Sequence, residues 1–145
     1  MDRLTPARRS WLMSRVRGKD TAPEMVVRRA VHALGYRYRL HVADLPGCPD
    51  LVFRSRNKVI FVHGCFWHHH TGCRLATIPK TRGEFWQAKF KANRDRDRRA
   101  VSALRAMGWK VLIIWQCELR DSGLFTRIRK FLGPRGPRQT GRLRA

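Results

Sequence analysis

Val59-Ile-Phe-Val-His-Gly-Cys-Phe-Trp-His-His-His-Thr-Gly-Cys73 is the stretch around which this chain is organised. Its apolar start, residues 59–62, predicts a strand in the middle of a sheet, because strands that are covered on both faces read as continuous apolar runs. Two cysteines, two aromatics and three histidines follow His63 within ten residues. A buried strand that ends in reactive side chains delivers them to a site at the edge of the sheet.

The overall charge of the chain indicates the class of partner. Its 145 residues fit one domain, and 32 Lys and Arg against 10 Asp and Glu give a formal charge of +22. This excess favours nucleic acid as the partner, and the alternative is a ribosomal-type basic protein or a compositional bias toward arginine. We expect a cytoplasmic protein without membrane association, since no segment reads as a membrane span or a signal peptide. Four cysteines then favour metal or free thiols over disulfides.

Two helices are predicted at the beginning of the chain. The first starts at Thr5-Pro6, ends at Gly18 and is basic, so it is either an arm along phosphates or a solvated surface helix. The second starts at the capping box Thr21-Ala-Pro-Glu24 and stops at Gly35. The capping box gives Glu24 a structural explanation, because its carboxylate is expected to reach back to the cap.

The remaining elements define the fold class. Strands are predicted at 36–40, 51–53, 59–62 and 109–115, and helices at 83–107 and 124–132. This order predicts an α/β sandwich around a mixed sheet, with an antiparallel hairpin and a last strand that is parallel to its neighbour. We expect one domain over residues 1–132 and a basic, disordered tail over residues 133–145.

Cysteine and histidine spacing predicts a metal centre. Cys65, His70 and Cys73 are spaced like ligands, and Cys117 follows a strand that is expected to lie beside the first one. Three cysteines and one histidine form a recognised closed zinc site, which would make the metal structural. The alternative is three buried cysteines with surface histidines, and the spacing leaves open which of residues 68–70 would bind. Cys48 is left over in a Pro-Gly turn.

A carboxylate and an imidazole are expected at one edge of the sheet. Asp50 precedes the first strand of the hairpin, and His63 ends the second. A carboxylate in basic surroundings can hold Mg²⁺, and a neutral imidazole can take a proton from an attacking water. Taken alone, Asp50 is better explained as an aspartate in a proline-rich turn than as a metal ligand. The neighbouring histidines and the positive charge of the chain favour a nuclease.

Three aromatic residues are candidates for contact with bases. Phe66 and Trp67 are adjacent, so on an extended loop they cannot both point into one core, and Trp86 lies near the start of a long helix. Apolar wedges can unstack a base step, and they do so most easily where pairing is already faulty. The alternative is that all three pack in the core. The pattern slightly favours exposure for Trp67 and leaves Trp86 open.

Five motifs together resemble the very short patch repair endonucleases, the Vsr family. They are Leu45-Pro-Gly-Cys-Pro-Asp50, Val59-Ile-Phe-Val-His-Gly-Cys-Phe-Trp-His-His-His70, Thr81-Arg-Gly-Glu-Phe-Trp86, Asn93-Arg-Asp-Arg-Asp-Arg-Arg99 and Gly108-Trp-Lys-Val-Leu-Ile-Ile-Trp-Gln-Cys117. The resemblance spans about residues 5–132. It implies a restriction-endonuclease-like fold, a diverged relative of the PD-(D/E)xK nucleases in which Phe61-x-His63 replaces the acid-x-lysine motif. It also implies Mg²⁺-dependent nicking of double-stranded DNA beside the thymine of a thymine–guanine mismatch, which arises by deamination of 5-methylcytosine.

The resemblance also implies roles for individual residues. Asp50 would bind Mg²⁺ together with the backbone carbonyl of Val62, and His68 matches the residue that activates water. His63 and Glu24 match further active-site positions. The aromatics that wedge beside the mismatch are matched by Phe66, Trp67 and Trp86, and the structural zinc ligands by Cys65, His70, Cys73 and Cys117.

Two departures from the family pattern stand out. Thr71-Gly72 enlarges the loop between His70 and Cys73, which again leaves the choice of the ligating histidine open. Cys48 stands where the family usually has arginine. Neither departure touches Asp50 or His68.

The leading hypothesis is a monomeric, Mg²⁺-dependent mismatch-nicking endonuclease with a structural zinc. We expect it in the bacterial cytoplasm at the nucleoid, with mismatch-repair proteins and a DNA polymerase as candidate partners. The first alternative is a related nuclease with a different mismatch or sequence target. The second is a zinc-stabilised DNA-binding protein without catalysis.

Overall fold

The computed structural model describes residues 21–134, and the predicted helix at residues 5–18 lies outside them. The described helices and strands, in chain order, are α1 (Ala22–Ala33), β1 (Arg39–Leu40), β2 (Leu51–Phe53), β3 (Lys58–His63), α2 (Gly83–Ala106), β4 (Lys110–Trp115) and α3 (Leu124–Leu132). This is a mixed α/β fold with four strands and three helices in the described residues. The observed bounds of α3 are those that the apolar periodicity predicts.

The first helix begins as its capping sequence predicts. The hydroxyl of Thr21 accepts the backbone N–H of Glu24 at 3.4 Å, and a proline lies in the first turn. Beyond the end of α1, the predicted strand at 36–40 is wrong in its first half. Gly35 has φ +91° and the N–H of Tyr36 bonds to the carbonyl of Val31, so this stretch closes the helix instead of extending the sheet.

The sheet has the strand order β1-β2-β3-β4. The pair β2 and β3 is antiparallel, with Leu51 opposite Ile60, whereas β3 and β4 are parallel, with Val62 opposite Ile114. The predicted hairpin and the predicted parallel crossover through the long helix are both confirmed. Because β3 and β4 are parallel, with His63 opposite Trp115, their C-terminal ends meet at one edge of the sheet, and this edge carries the candidate site.

Alternate residues of the strands fill two cores. On one face, Ile60 and Ile114 pack with Val31 of α1 and Ile128 of α3. On the other face, Val52, Val59, Phe61 and Leu45 pack with Leu104 of α2. Each fully buried aliphatic side chain of this kind stabilises the fold by roughly 1.5–3 kcal/mol. The sheet is therefore covered on both faces, which explains why β3 reads as a continuous apolar run.

Two basic side chains hold the end of α3 against the sheet. The guanidinium of Arg56 donates to the carbonyl of Leu132 at 2.9 Å, and the ammonium of Lys58 donates to that of Phe131 at 2.6 Å. Cations at the carbonyl end of a helix are favoured by its dipole. The last residue of α3 is Leu132, and most of the predicted tail, residues 135–145, lies outside the described residues, so the domain boundary stays a prediction.

Within residues 21–134, no helix is both long and apolar enough to cross a membrane.

Candidate active site and metal centre

A strained turn delivers Asp50 to the edge of the sheet. Gly47 and Cys48 have φ of +74° and +49°, and an added Cβ at Gly47 would lie 2.6 Å from the Cβ of Ala100 on α2. Position 47 therefore needs glycine both for its backbone conformation and for close packing. The turn ends at Asp50, whose carboxylate Oδ2 accepts the backbone N–H of Val62 at 2.7 Å. This bond ties the carboxylate to β3.

Burial changes the proton affinity of Asp50. Desolvation raises the pKa of its carboxyl from 3.8 to about 6, the Val62 N–H opposes this shift, and the neighbouring Glu24 carboxylate adds to it. A carboxyl with a raised pKa is held in an environment that disfavours its charge. Such a site gains stability when a cation binds, which is the electrostatic signature of many functional carboxylates.

Asp50→Asn should stabilise the protein in the absence of added divalent metal and DNA. Below pH 3.8 both folded and unfolded states carry a protonated Asp50, so the carboxyl imposes no penalty. As the pH rises to about 6, the unfolded state ionises first, and above pH 6 the folded state bears the full cost. We expect the variant to gain about 1–3 kcal/mol of unfolding free energy at pH 7.5 and almost nothing at pH 3.5.

Denaturant unfolding at the two pH values measures this effect. Asp95→Asn is the matched control, because a hydrogen bond from Lys91 lowers the pKa of the half-buried Asp95 carboxyl, so the same change should give no gain there. Equal stability of Asp50→Asn and wild type at pH 7.5 would contradict the assigned penalty.

Glu24 and His41 complete a first cluster around Asp50. The Nε2 of His41 lies 2.5 Å from Oε2 of Glu24 and 4.0 Å from Oδ1 of Asp50. Glu24 is buried, and its carboxylate also accepts from Arg28 at 3.4 Å. The Glu24 side chain thus reaches the cluster, which the interpretation of this residue as a cap did not foresee. His41 was missed altogether, although its N–H bonds to the carbonyl of Asp50 and continues the β1–β2 pairing.

A second cluster faces Asp50 from the end of β3 and from α2. The rings of His63 and His68 are stacked with centroids 3.8 Å apart, and Nδ1 of His68 lies 2.6 Å from Oδ2 of Asp97. In the neutral ring of His68 this bond keeps the proton on Nδ1 and leaves Nε2 to accept one. Burial and the neighbouring His68 lower the pKa of His63 to about 4, so His63 is neutral at neutral pH. Sequence reasoning missed Asp97, which lies in a run of charged residues on α2.

The two clusters share one cavity of about 560 Å³. Its lining includes His41, Asp50, His63 and His68 together with the basic Arg96 of α2. Of the predicted catalytic residues, the structure therefore brings three to this cavity, and Glu24 lies behind His41. Among the described residues, the buried Nδ1 of His63 has no hydrogen-bond partner. A buried polar atom of this kind is commonly satisfied by water or ligand.

The three candidate aromatics form a cluster with one another, and two of them directly precede the cavity residue His68 in the chain. The ring centroid of Phe66 lies 5.2 Å from that of Trp67 and 5.7 Å from that of Trp86, while Trp67 and Trp86 are 6.1 Å apart. The expected extended loop is wrong, because residues 65–69 form turns that bring the rings of Phe66 and Trp67 against each other. Trp86 is buried, and Phe66 and Trp67 are half-buried.

The four predicted zinc ligands converge beyond the end of β3. The ligand atoms of Cys65, His70, Cys73 and Cys117 all lie within 4.8 Å of one another. Nδ1 of His70 is 3.7 Å from Sγ of Cys65 and 3.4 Å from Sγ of Cys117. Ligands of a tetrahedral zinc ion lie about 3.6–3.8 Å apart, so the set fits this metal. His70 is the histidine of the three that the structure brings to the cysteines, and its ring stacks on Trp115 with centroids 4.0 Å apart.

Comparison with known proteins identifies the family. The family model for the DNA mismatch endonuclease Vsr matches residues 1–74. The chain belongs to the Vsr family of DNA mismatch endonucleases. It is 56% identical over 134 residues to the type II nicking enzyme V.XorIIP of Xanthomonas oryzae, with 92% of this chain and 98% of that protein covered. It is 42% identical over 132 residues to the DNA mismatch endonuclease Vsr of Escherichia coli, with 87% and 84% covered.

A further relative widens the comparison. The type II nicking enzyme V.NmeAIP of Neisseria meningitidis is 37% identical over 123 residues, with 85% of this chain and 87% of that protein covered. As a member of the Vsr family, this chain is a DNA endonuclease, a hydrolase whose substrate is DNA. The predicted family is confirmed, and the alternative of a DNA-binding protein without catalysis is set aside.

Proposed function

We propose that this Vsr-family endonuclease nicks one strand of double-stranded DNA beside the thymine of a thymine–guanine mismatch, in a Mg²⁺-dependent reaction. The observation that carries the proposal is the cavity that gathers Asp50, His63 and His68 beside the cluster of Phe66 and Trp67. His63, His68 and the aromatic residues Phe66 and Trp67 then lie on one strand end and the turn that follows it, and the turn before β2 adds Asp50. The names of the relatives, mismatch endonuclease and nicking enzymes, support the reaction class.

Oxygen atoms at the edge of the sheet fit Mg²⁺. Asp50 would hold it through its carboxylate, together with the backbone carbonyl of Val62. In an extended strand the N–H and C=O of one residue face the same side. The Val62 N–H bonds to Asp50, so its carbonyl faces the same side of β3. When bound, Mg²⁺ supplies charge stabilisation at a phosphate oxygen and lowers the pKa of a bound water.

The second cluster supplies a proton acceptor. The bond between His68 Nδ1 and the carboxylate of Asp97 orients the ring and leaves Nε2 as the nitrogen that faces away from Asp97. His63 stacks on the other face of this ring and stays neutral, so it does not add a second positive charge beside His68. In this proposal His68 takes the proton of the attacking water, with Asp97 as its positioning residue and His63 and Glu24 as supports of the two clusters.

The charge of the chain supports binding to the DNA backbone. Its formal +22 attracts phosphates at long range and makes affinity fall with salt. Arg96 brings part of this charge to the wall of the cavity. We infer a sequence-independent contribution from the basic residues, to which the basic tail adds. The antiparallel hairpin, the parallel crossover and the position of Asp50 also support a restriction-endonuclease-like fold.

A structural zinc would hold the aromatic turn in place. Zn²⁺ at Cys65, His70, Cys73 and Cys117 would connect the segment after β3 with the end of β4. Burial raises the pKa of Cys65 to about 12, so this thiol stays protonated unless a cation compensates the thiolate. The N–H of Cys117 lies 3.4 Å from Sγ of Cys65 and would favour the thiolate once the metal binds.

Trp67→Ala should reduce discrimination between mismatched and paired DNA. The half-buried Trp67 rests on Phe66 and Trp86, so it can present a supported edge to an opened base step. Stacking of a base on an aromatic side chain contributes about 1–3 kcal/mol, so we expect the ratio of nicking rates to fall by about tenfold or more. Single-turnover nicking rates on a mismatched duplex and on the otherwise identical paired duplex measure this ratio. Phe125→Ala, an exposed aromatic on α3, should keep the wild-type ratio, and an unchanged ratio in Trp67→Ala would remove the wedge role.

Strand-resolved nicking tests the proposed function. A duplex with one thymine–guanine mismatch and the corresponding paired duplex, each labelled on both strands, are incubated with and without Mg²⁺. We expect Mg²⁺-dependent cleavage of the thymine strand of the mismatched duplex alone. Cleavage of both duplexes, or equal rates without divalent metal, would overturn the assignment.

A different base context around the mismatch is the second candidate. Identity to the nicking enzyme V.XorIIP is higher than identity to the E. coli protein, 56% against 42%. The relative with the higher identity is named a nicking enzyme and not a mismatch endonuclease, and this difference favours the second candidate. A panel of mismatched duplexes with varied flanking pairs distinguishes one context from another.

A further inference from the structure

Apart from the cysteines, three side chains of types that can bind metal meet at the wall of the cavity. Glu24 comes from α1, His41 follows β1 and Asp50 precedes β2, and one ligand atom from each lies within 4.8 Å of the other two. The side chain of Glu24 is 3% exposed, and those of His41 and Asp50 are 16% and 17% exposed. These residues come from three different elements, so packing of the whole fold is needed to assemble the set.

The two oxygens of Asp50 face different partners. Oδ2 accepts the Val62 N–H, whereas Oδ1 is the oxygen that lies 4.0 Å from Nε2 of His41. In an octahedral site with bonds of about 2.1 Å, neighbouring ligand atoms are about 3 Å apart and opposite ones about 4.2 Å. The separation of 2.5 Å from His41 to Glu24 is about 0.5 Å below the adjacent distance, and the separation of 4.0 Å from His41 to Asp50 is about 0.2 Å below the opposite one. Small side-chain adjustments would admit a cation between the three atoms.

The imidazole determines which cation fits. Mg²⁺ is a hard ion that prefers oxygen ligands, whereas an imidazole nitrogen suits transition metals. Two carboxylates with one imidazole therefore favour a divalent transition-metal cation over Mg²⁺. Because His41 and Asp50 line the cavity, such a cation has access from solvent.

We propose that Glu24, His41 and Asp50 form a mixed carboxylate–imidazole site for a divalent transition-metal cation, with His41 as a nitrogen ligand. The proposal deepens the proposed function and rests on it in one respect, that Asp50 is a metal ligand. Mn²⁺ is the probe, because it accepts carboxylates and is paramagnetic. The site would let the catalytic centre hold Mn²⁺ with a ligand that Mg²⁺ does not use.

Pulsed electron paramagnetic resonance on the full chain, loaded with Zn²⁺ and free of DNA, tests the site. With one equivalent of Mn²⁺ we expect ¹⁴N modulation from a directly bound imidazole. His41→Gln keeps a side chain that can hydrogen-bond Glu24 but removes the imidazole, so it should lose the modulation. It should also weaken Mn²⁺ binding at least about tenfold, because loss of even a hydrogen-bond partner of a metal ligand lowers metal affinity by about 10–100-fold. His68→Gln removes another cavity histidine and should keep the modulation.

Two results would overturn the proposal. A wild-type spectrum without ¹⁴N modulation would mean that His41 stays paired with Glu24, and this result needs no variant. Modulation that persists in a folded His41→Gln would assign the nitrogen to another histidine. Should His41→Gln fail to fold, His41→Asn replaces it in the same comparison. Neither result bears on Mg²⁺-dependent nicking, which is measured with DNA, so failure of this site and failure of the proposed function are distinguishable.

Discussion

Asp50→Ala is expected to lower the single-turnover nicking rate on a thymine–guanine duplex by at least about 10³-fold, equivalent to about 4 kcal/mol of activation free energy. Removal of its carboxylate takes away the side-chain oxygens proposed to hold Mg²⁺ and the acceptor of the Val62 N–H, which orients the end of β3. DNA affinity should change little, because most of it comes from basic residues elsewhere on the chain.

Rates from quenched reactions and affinities from fluorescence anisotropy in Ca²⁺ separate the two effects. Asp44→Ala is the matched control, since this exposed aspartate pairs only with Arg54 among the described residues and lies outside the cavity lining. Nicking by Asp50→Ala within tenfold of wild type would exclude Asp50 as a metal ligand. A parallel loss of DNA binding would instead indicate that the variant damages the fold of the turn.

Cys73→Ser is expected to lower zinc content and stability together. Structural zinc supplies a large part of the folding free energy of small metal sites, and loss of one of four ligands should cost at least about 3 kcal/mol. The half-buried Cys73 lies on a stretch of turns in which few backbone groups belong to helix or sheet, so little else holds it. The aromatic cluster depends on the same turns and should loosen as well.

Zinc content by atomic emission and unfolding by denaturant are measured on the same samples. Cys48→Ser provides the control, because Cys48 is exposed and does not belong to the cluster of the other three cysteines. This variant should keep one zinc per chain. A folded Cys73→Ser protein with a full complement of zinc would reject this ligand. Full stability without zinc would show that packing alone holds the turn.

The elements that sequence reasoning predicted well are those whose signal is local. The apolar run of β3 and the spacing of Leu124, Ile128 and Leu132 in α3 record directly which residues are buried. The helix start at Thr21 is equally local, because a cap joins residues three apart. The parallel pairing of β3 with β4 is a general rule of crossover connections, so it too could be predicted.

Residues whose role depends on distant neighbours were missed or misread. His41 follows a strand of two residues, which is too short to show any alternation, and it meets Glu24 only after α1 packs on the sheet. Asp97 is one of several acids in a charged helix, and nothing in its spacing marks it as the partner of His68. The turns after β3 have no period at all, so the side-by-side placement of Phe66 and Trp67 follows only from the folded structure.

The cysteine set has a consequence for the order in which the chain folds. Cys65 and Cys73 lie within one short segment, whereas Cys117 is separated from Cys65 by 52 positions and arrives only when β4 has paired with β3. Closing so long a loop is entropically costly, and non-local parallel pairing is a slow step in folding. A zinc ion already bound by Cys65 and Cys73 would stabilise the paired strands as soon as Cys117 reaches it. Capture of the last ligand and docking of the last strand would then be one event, and zinc supplied before refolding would accelerate it more than zinc supplied afterwards.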